Sequence, residues 1–322
     1  MSAISRYDHR VLRDMFDGKE VSPVLPYANL VDDREAIAQI TEGIGRVSLS
    51  GVQPKYAMVV DDGQLRFTKE GERGTYILKP APTASFLFDR QYCPANEYLT
   101  MQLAREVYKI PTAACCLCFF GDGTEAYLTR RFDIDKDGQK LQQEDFASIA
   151  GVSKATHGDD YKYDALSYED CAALIDKHVK AAMVEKLRFF RLVVFNYLTL
   201  NDDAHLKNFS LIAPRNGDYV LSPAYDLLNT SLHLPKPQIF ALTKGLFREG
   251  MPKGDVYPIN RATFALFGKK IGLTDRIVDR ELTFFGKEHA QAREMIENSR
   301  LSDELKTQYW KSFDYRRLRL RW

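Results

Sequence analysis

The chain has 322 residues and an almost balanced charge, with 45 Lys and Arg against 44 Asp and Glu. A surface that coats nucleic acid normally carries a strong basic excess, so the net charge of +1 argues against that class of protein. Hydrophobic residues make up 45% and charged residues 28%, which are ordinary globular values and exclude wholesale disorder. The length suffices for about two domains or lobes.

The sequence predicts a cytoplasmic protein. Five cysteines in a chain of this length do not form a disulfide scaffold. The first residues do not resemble a signal peptide. No apolar run approaches the roughly 18 residues that a membrane-spanning helix needs.

The first part of the chain is predicted to be rich in strands around one prominent helix. Short helices are expected within the first 40 residues, for example over 32–40, and a segment rich in Gly and Ser follows over 41–55. The helix is predicted over 94–108, with Leu99, Leu103 and Val107 on one face. Apolar runs between turn signals predict strands over 56–60, 65–68, 75–79 (stopped by Pro80), 114–120 and 126–131.

The rest of the chain changes to a helical pattern. Strong helices are predicted over 169–180 and 183–200, and the second is apolar on most faces, which indicates burial. A short strand pair over 210–213 and 219–222 and a mainly helical last 60 residues follow. We therefore predict an α+β chain with two lobes, an N-lobe over 1–135 that bears the sheet and a helical C-lobe over 136–322.

A polar loop directly after the apolar helix carries the first chemical signal. Asp203 and Asn208 have the Asp-x-x-x-x-Asn spacing of phosphoryl-transfer loops, in which the Asp accepts a hydroxyl proton and the Asn binds a metal ion. Taken alone, the spacing also fits a polar turn that caps a helix. Asp226 follows a short strand 23 residues downstream, and a second carboxylate is what a metal-bound phosphate needs.

Upstream residues add a lysine and a glutamate in the order that kinases use. Lys79 ends an apolar strand and needs an anion, which a nucleotide phosphate would supply. Glu97 lies near the start of the predicted helix, on the same face as Met101, and is expected to point inward towards Lys79. The alternatives are a strand-end lysine that reaches solvent and a glutamate favoured by the helix dipole.

These motifs together resemble the HipA family of bacterial serine/threonine kinases, from about residue 45 to 230. Within that family the chain is most similar to the short HipT branch, because it has paired serines in the Gly- and Ser-rich segment and no counterpart of the small N-terminal subdomain. The matching segments are Ser48-Leu-Ser-Gly-Val-Gln-Pro-Lys55, Ile77-Leu-Lys79, Asn96-Glu97-Tyr98, Arg131-Phe-Asp133, Gln143-Glu-Asp145, Asp203-Ala-His-Leu-Lys-Asn-Phe-Ser210 and Pro223-Ala-Tyr-Asp226.

The resemblance implies a two-lobed protein-kinase-like fold and a role for each matching catalytic position. Asp203 would be the catalytic base, and Asn208 and Asp226 would bind Mg²⁺. Lys79 would hold the α- and β-phosphates of ATP, and Glu97 would orient that lysine.

Other matching positions are expected around the nucleotide. The segment 129–133 would form the hinge that binds adenine through its backbone, with Phe132 near the base. Arg130 stands where the family has an acidic residue, which affects the detailed nucleotide contacts. His205 and Lys207 would lie in the catalytic loop, with Lys207 as a phosphate contact.

The segment rich in Gly and Ser would lie over the phosphates. Gly51 would let the backbone approach them, and Ser48 and Ser50 would be nucleotide contacts and autophosphorylation sites. A phosphoserine there adds negative charge, so the modified form is expected to bind ATP poorly.

The resemblance also implies substrates and partners. The protein substrate would be an aminoacyl-tRNA synthetase of the glutamyl or tryptophanyl type, phosphorylated on Ser in a toxin–antitoxin system. A small HipS-like antitoxin would supply the missing subdomain, and a HipB-like protein would bind DNA, so that this chain contacts DNA only indirectly and no membrane. Two alternatives stay open, a phosphotransferase for small molecules and an inactive kinase fold that binds partners.

Two other features favour structural interpretations. Cys115 and Cys118 have a C-x-x-C spacing, but their apolar surroundings predict buried thiols, with no further zinc ligands nearby. The basic segment 316–322 is predicted to be a solvated helix end.

Overall fold

A computed structural model describes residues 6–27, 53–215, 217–252 and 259–321. The predicted helix over 32–40 and the predicted contacts of Ser48, Ser50 and Gly51 lie outside the described residues. In the described N-terminal part, five antiparallel strands form a sheet in the order β2-β1-β3-β5-β4. The strands are β1 (Tyr56–Asp61), β2 (Gln64–Phe67), β3 (Tyr76–Pro80), β4 (Cys115–Phe119) and β5 (Glu125–Arg130).

Two tight turns fix the register of this sheet. The β1–β2 turn has positive φ at Asp62 (46°) and Gly63 (71°), the conformation that matches the twist of a two-residue hairpin. Gly123 (φ 85°) serves the β4–β5 turn. Strand β3 extends through Pro80, one residue beyond the predicted end, and its pairing with β1 stops at Leu78. Pro80 thus lies where β3 has lost one neighbour, and proline is tolerated at such a position.

Among the described residues, a helix packs against each face of the sheet. Helix α1 (His9–Phe16) begins at Asp8, whose carboxylate accepts a hydrogen bond from the amide of Val11, and it covers Met58, Leu78 and Leu128. On the opposite face lies α2 (Cys93–Gln102), which continues as a wider π-helical turn over Leu103–Val107. The predicted helix over 94–108 therefore exists, with its last turn widened, and its predicted apolar face is buried.

The C-terminal part consists of helices around a small second sheet of β6 (Gln142–Asp145), β7 (Ser210–Ala213) and β8 (Val220–Leu221). Helix α7 (Ala182–Thr199) is buried over most of its length, as its apolar pattern predicts. Its apolar side chains form the largest core together with those of the surrounding helices. The helices are α3 (Phe146–Ile149), α4 (Lys154–His157), α5 (Tyr161–Asp164), α6 (Tyr168–His178), α7 (Ala182–Thr199), α8 (Arg261–Lys270), α9 (Asp275–Gly286), α10 (Ala290–Glu297) and α11 (Asp303–Arg321).

The described fold confirms the α+β prediction and adds elements that the sequence pattern missed. Strand β6 is defined by its pairing with β7, and helices α3 to α5 have only four residues each, too few for a periodic pattern in the sequence. The proposed lobe boundary after residue 135 falls between β5 and β6 and stays a prediction. All five cysteines are buried and unbridged, including Cys115 and Cys118 in β4. Of the helices in the described ranges, none has the length and hydropathy to cross a bilayer.

Candidate functional site

A buried lysine joins two carboxylates from distant parts of the chain. The Nζ of Lys79 lies 2.5 Å from Oε1 of Glu97 and 2.5 Å from Oδ1 of Asp226. Strand β3 supplies Lys79, helix α2 supplies Glu97, and Asp226 follows β8. The ion pair between Lys79 and Glu97 that the sequence predicted is therefore present, and Asp226 completes it.

The charges of this cluster are set by competition between burial and pairing. Burial disfavours the charge of Lys79, but Asp226 and Glu97 outweigh it and raise the pKa of the ammonium. Burial likewise opposes ionisation of Asp226, but Lys55 and Lys79 hold its pKa well below the usual range. For Glu97 burial prevails over the attraction of Lys79, and its pKa is raised. Asp226 is therefore the carboxylate that stays ionised most firmly.

Lys55 joins the cluster without having been assigned a role from the sequence. Its Nζ lies 3.1 Å from Oδ2 of Asp226, so the two carboxylate oxygens of Asp226 each contact a different lysine. Gln53, two residues earlier, donates from Nε2 to the carbonyl oxygen of Pro80 and ties this segment to the end of β3. The available signal was the Gln-Pro-Lys run just before β1, which was noticed as part of a motif.

The loop that contains Asp203 and Asn208 is closed on itself and buried. The Nδ2 of Asn208 donates to the carbonyl oxygen of Asp203 at 2.7 Å, so the side-chain oxygen of Asn208 is the atom suited to bind a cation. Asp203 is 2% exposed, and its Oδ1 accepts a hydrogen bond from the hydroxyl of Tyr163 at 2.8 Å. Tyr163 belongs to α5 and was not selected from the sequence.

Backbone geometry brings this loop next to Asp226. Leu200 caps the C-terminal end of helix α7 in a left-handed conformation (φ 50°) that turns the chain sharply. Asn201 then donates from Nδ2 to the carbonyl oxygen of Asp226 at 3.3 Å. Asp226 itself has φ 55°, an uncommon conformation for a residue that is not glycine and one that concentrates at functional sites.

His205 and Lys207 lie in the same loop but differ in their surroundings. The Nε2 of His205 is 3.9 Å from Oδ1 of Asp203, and neither ring nitrogen has a hydrogen-bond partner within the described part of the chain. Burial lowers the pKa of His205 to about 4, despite the nearby Asp203, so the ring is neutral near pH 7. Lys207 is half-exposed and points to Asp145, with Nζ 3.2 Å from Oδ2.

The side chains of the predicted hinge residues Phe132 and Arg130 have partners on different sides of the sheet. Phe132 packs against Tyr225, the neighbour of Asp226, with ring centroids 5.5 Å apart. The side chain of Arg130 instead forms a two-point ion pair with Asp17, at the end of α1 and on the face away from Lys79. The structure therefore does not bring the Arg130 side chain to the cluster.

Two backbone amides of the hinge already have partners. Arg130 donates to the carbonyl oxygen of Ala114 and Arg131 to that of Thr75, each at 2.9 Å. Adenine binding through either amide would have to displace one of these hydrogen bonds. The amides of Phe132 and Asp133 are therefore the better candidates within the predicted hinge.

The donor set around Asp226 suits a cation that is shared with phosphates. Throughout the described ranges, three or more His, Cys, Asp or Glu side chains never come together as a metal site. Mg²⁺ retains water readily and binds through one or two protein oxygens together with substrate phosphates. An ionised Asp226 and the side-chain oxygen of Asn208 fit that smaller role.

A second polar cluster anchors the helix that carries Glu97. The Nδ2 of Asn96 donates to the carbonyl oxygen of Asn229 at 2.8 Å, and its Oδ1 accepts from the amide of Asn229 at 3.0 Å. His233 accepts from the same Nδ2 at 2.9 Å if its proton lies on Nδ1, which faces the carbonyl oxygen of Phe88. Helix α2 is thus tied to the segment that follows Asp226.

Comparison with known proteins points to one family. Residues 47–297 match the HipA-like C-terminal domain. A Haemophilus influenzae protein named "Putative kinase" is 28% identical over 321 residues, covering 92% of this chain and 85% of that protein. The Sinorhizobium fredii protein "Putative kinase Y4dM" is 34% identical over 214 residues, 62% of this chain and 49% of that protein. The Shewanella oneidensis serine/threonine-protein kinase toxin HipA is 27% identical over 210 residues, which cover 61% of this chain and 46% of that protein.

The chain therefore spans about half the length of the second and third of these relatives. Two solved structures share its fold. One is Shewanella oneidensis HipA in a complex with HipB and operator DNA, with a TM-score of 0.66, 23% identity, and coverage of 88% of this chain and 66% of that one. The other is the Helicobacter pylori proinflammatory kinase CtkA, with a TM-score of 0.50, 14% identity, and coverage of 81% and 90%. The predicted combination of an N-terminal sheet and a helical C-terminal part is confirmed.

Proposed function

Because this chain belongs to the family of HipA-like C-terminal domain proteins, we propose that it is an ATP-dependent protein kinase that phosphorylates serine or threonine. The observation that carries the proposal is the buried contact of Lys79 with both Glu97 and Asp226, next to the loop of Asp203 and Asn208. A purely structural ion pair would not require this loop beside it. Kinases place a strand lysine, a helix glutamate, a catalytic aspartate and metal ligands in this order.

In the proposed reaction the substrate hydroxyl oxygen forms a bond to the γ-phosphorus of ATP. The bond between that phosphorus and the oxygen bridging to the β-phosphate breaks, and ADP leaves. Asp203 accepts the hydroxyl proton, which suits a carboxylate beside a neutral histidine. Lys79 would bind phosphate oxygens while Glu97 fixes its position.

Mg²⁺ would neutralise charge on the phosphates when bound, held by Asp226 and Asn208. Phe132 and the hinge 129–133 would contact adenine. His205 would pack beside Asp203 as a neutral ring, and Lys207 would reach phosphate only by leaving Asp145. Ser48, Ser50 and Gly51 would lie over the phosphates, with both serines as autophosphorylation sites.

The biological setting in the proposal follows the family. The protein would act as a toxin of the HipT branch on a glutamyl- or tryptophanyl-tRNA synthetase, and inhibit translation in the cytoplasm. A HipS-like antitoxin and a HipB-like DNA-binding protein would be its partners. Support for the last is that a family relative has been solved in complex with HipB and operator DNA.

The test is phosphate transfer from γ-labelled ATP with Mg²⁺, using the purified chain and a panel of aminoacyl-tRNA synthetases. Asp203→Asn should lower the rate at which the chain labels itself or a synthetase by about 10²- to 10⁴-fold, the share that general-base catalysis contributes. Asp202→Asn is the matched control, because that neighbouring carboxylate accepts a hydrogen bond from the amide of Gln238 at 2.8 Å. It should retain most of the transfer.

Other outcomes separate the alternatives. Loss of self-labelling alone in Ser48→Ala/Ser50→Ala would place the regulatory sites on those serines. Stabilisation by ATP and Mg²⁺ without protein labelling would favour a small-molecule phosphotransferase. Absence of both labelling and stabilisation would favour a partner-binding kinase fold and overturn the proposal.

A further inference from the structure

Tyr163 contacts the proposed base directly although no motif contains it. It lies on α5, 40 residues before Asp203, and its hydroxyl donates to Oδ1 of Asp203 at 2.8 Å. The tyrosine is 1% exposed and Asp203 is 2% exposed, so this hydrogen bond is sheltered from water. A sheltered hydrogen bond to a charged acceptor is stronger than one at the surface.

The tyrosine is itself held in place from several directions. Its backbone amide donates to the carbonyl oxygen of Asp160 at 2.8 Å, and its carbonyl oxygen accepts from the amide of Thr243 at 3.0 Å. Its ring meets that of His205 edge to face, with centroids 5.1 Å apart. Tyr163 thus connects the loop of Asp203 to the chain segment that follows Asp226.

Two further groups among the described residues, His205 and Lys162, interact with Asp203 in a different way. His205 approaches the same oxygen no closer than 3.9 Å and stays neutral because of burial. Lys162, the residue before Tyr163, interacts with Asp203 electrostatically. Burial lowers the pKa of the Lys162 ammonium. An attraction of that kind has little directional preference, whereas the tyrosine hydroxyl bonds one defined oxygen.

We propose that Tyr163 is the positioning residue of this kinase, whose hydrogen bond to Oδ1 fixes the Asp203 carboxylate in the orientation that receives the proton of the substrate hydroxyl. This inference rests on the proposed function. Tyr163 takes up no proton and forms no bond to phosphate. Its effect is on how often the carboxylate is oriented for proton transfer, and therefore on the rate of the chemical step.

The first test is Tyr163→Phe, which removes only the hydroxyl. General-base catalysis contributes about 10² to 10⁴ in rate, so loss of its orientation should lower kcat about tenfold. The KM for ATP should change less than about twofold, because the hydrogen bond that is removed goes to Asp203, the proposed base, and not to a proposed phosphate ligand. Tyr168→Phe is the matched control, since its buried hydroxyl donates at 2.8 Å to the backbone oxygen of Ala204 in the same loop, not to the carboxylate. It should lower kcat much less.

The second test combines the substitutions in single-turnover experiments. If Tyr163 acts through Asp203, Tyr163→Phe should cause no further loss in an Asp203→Asn background. A full additional tenfold loss would overturn the positioning role while leaving the kinase activity established. Equal effects of Tyr163→Phe and Tyr168→Phe on kcat would do the same. Wild-type kcat in Tyr163→Phe would overturn it as well. A wild-type chain that transfers no phosphate would overturn the proposed function, and this role with it.

Discussion

Lys79 and Asp226 are 147 residues apart in the sequence, and their charged groups lie 2.5 Å apart in the fold. The same ammonium also contacts Glu97, so one buried cation serves two carboxylates. Removing one partner from such a cluster leaves uncompensated buried charge, which costs far more than the loss of a surface ion pair. The cluster would therefore couple stability to the proposed nucleotide binding.

Lys79→Met should lower the free energy of unfolding by about 3 kcal/mol, because Glu97 and Asp226 lose their shared cation. It should also abolish ATP binding. Urea denaturation and ATP titration measure the two effects separately. Lys269→Met, at an exposed position of α8, is the control and should change neither. Stability recovered by adding Glu97→Gln, with no recovery of ATP binding, would separate the structural role of Lys79 from its proposed role in binding phosphate.

Lys55→Gln, unlike Lys79→Met, should weaken ATP binding while leaving the free energy of unfolding almost unchanged. The lysine side chain is 38% exposed, and exposed ion pairs contribute at most about 1 kcal/mol, so stability should hardly change. The KM for ATP should rise several-fold, since one oxygen of Asp226 loses the cation that holds it. Steady-state kinetics at saturating protein substrate measures this. An unchanged KM would show that the Lys55–Asp226 contact has no part in nucleotide binding.

The sequence predicts the order of the central residues better than their full surroundings. Chain order and spacing identified Lys79, Glu97, Asp203 and Asp226, and the predicted Lys79–Glu97 contact is present. Neither strand pattern nor motif spacing marks Tyr163, because its partner lies 40 residues away and its helix has one turn.

Lys55 shows the same limit at larger separation. Its contact with Asp226 spans 171 residues, and no local pattern encodes such a distance. For Arg130, however, a local signal was available. Side chains alternate along a strand, and Arg130 shares its parity with Ala126 and Leu128, which face the α1 side of the sheet.

Asn96→Ala should lower both stability and activity. It removes the side chain that bonds both backbone groups of Asn229, and leaving those groups unpaired in the interior costs about 1–3 kcal/mol. Because Asn96 precedes Glu97 on α2, kcat should also fall several-fold as the ion pair with Lys79 loosens. Chemical denaturation and initial rates measure these effects.

Asn260→Ala is the matched control for that variant. Asn260 caps α8 by accepting a hydrogen bond from the amide of Thr263, and loss of such a cap costs about 1 kcal/mol. Its stability should fall while kcat stays at the wild-type value. A comparable fall of kcat in both variants would show that destabilisation alone explains the effect of Asn96→Ala.

His205 should make stability depend on pH. Burial lowers its pKa from 6.5 to about 4 in the folded protein, so between these values the unfolded chain binds more protons than the folded one. Stability is therefore lost as the pH falls from about 6.5 towards 4, by about 3 kcal/mol from this residue. His233, whose pKa burial also lowers, adds a loss of the same sign.

The measurement is the free energy of unfolding at several values between pH 7 and pH 4. His205→Gln should flatten the dependence and leave the contributions of His233 and, with the opposite sign, of Glu97, whereas His178→Gln, at an exposed position, should leave the wild-type slope. An identical slope in wild type and His205→Gln would contradict a neutral, buried His205. Because the ring lies beside Asp203, that result would also contradict the proposal that the base has a neutral histidine next to it.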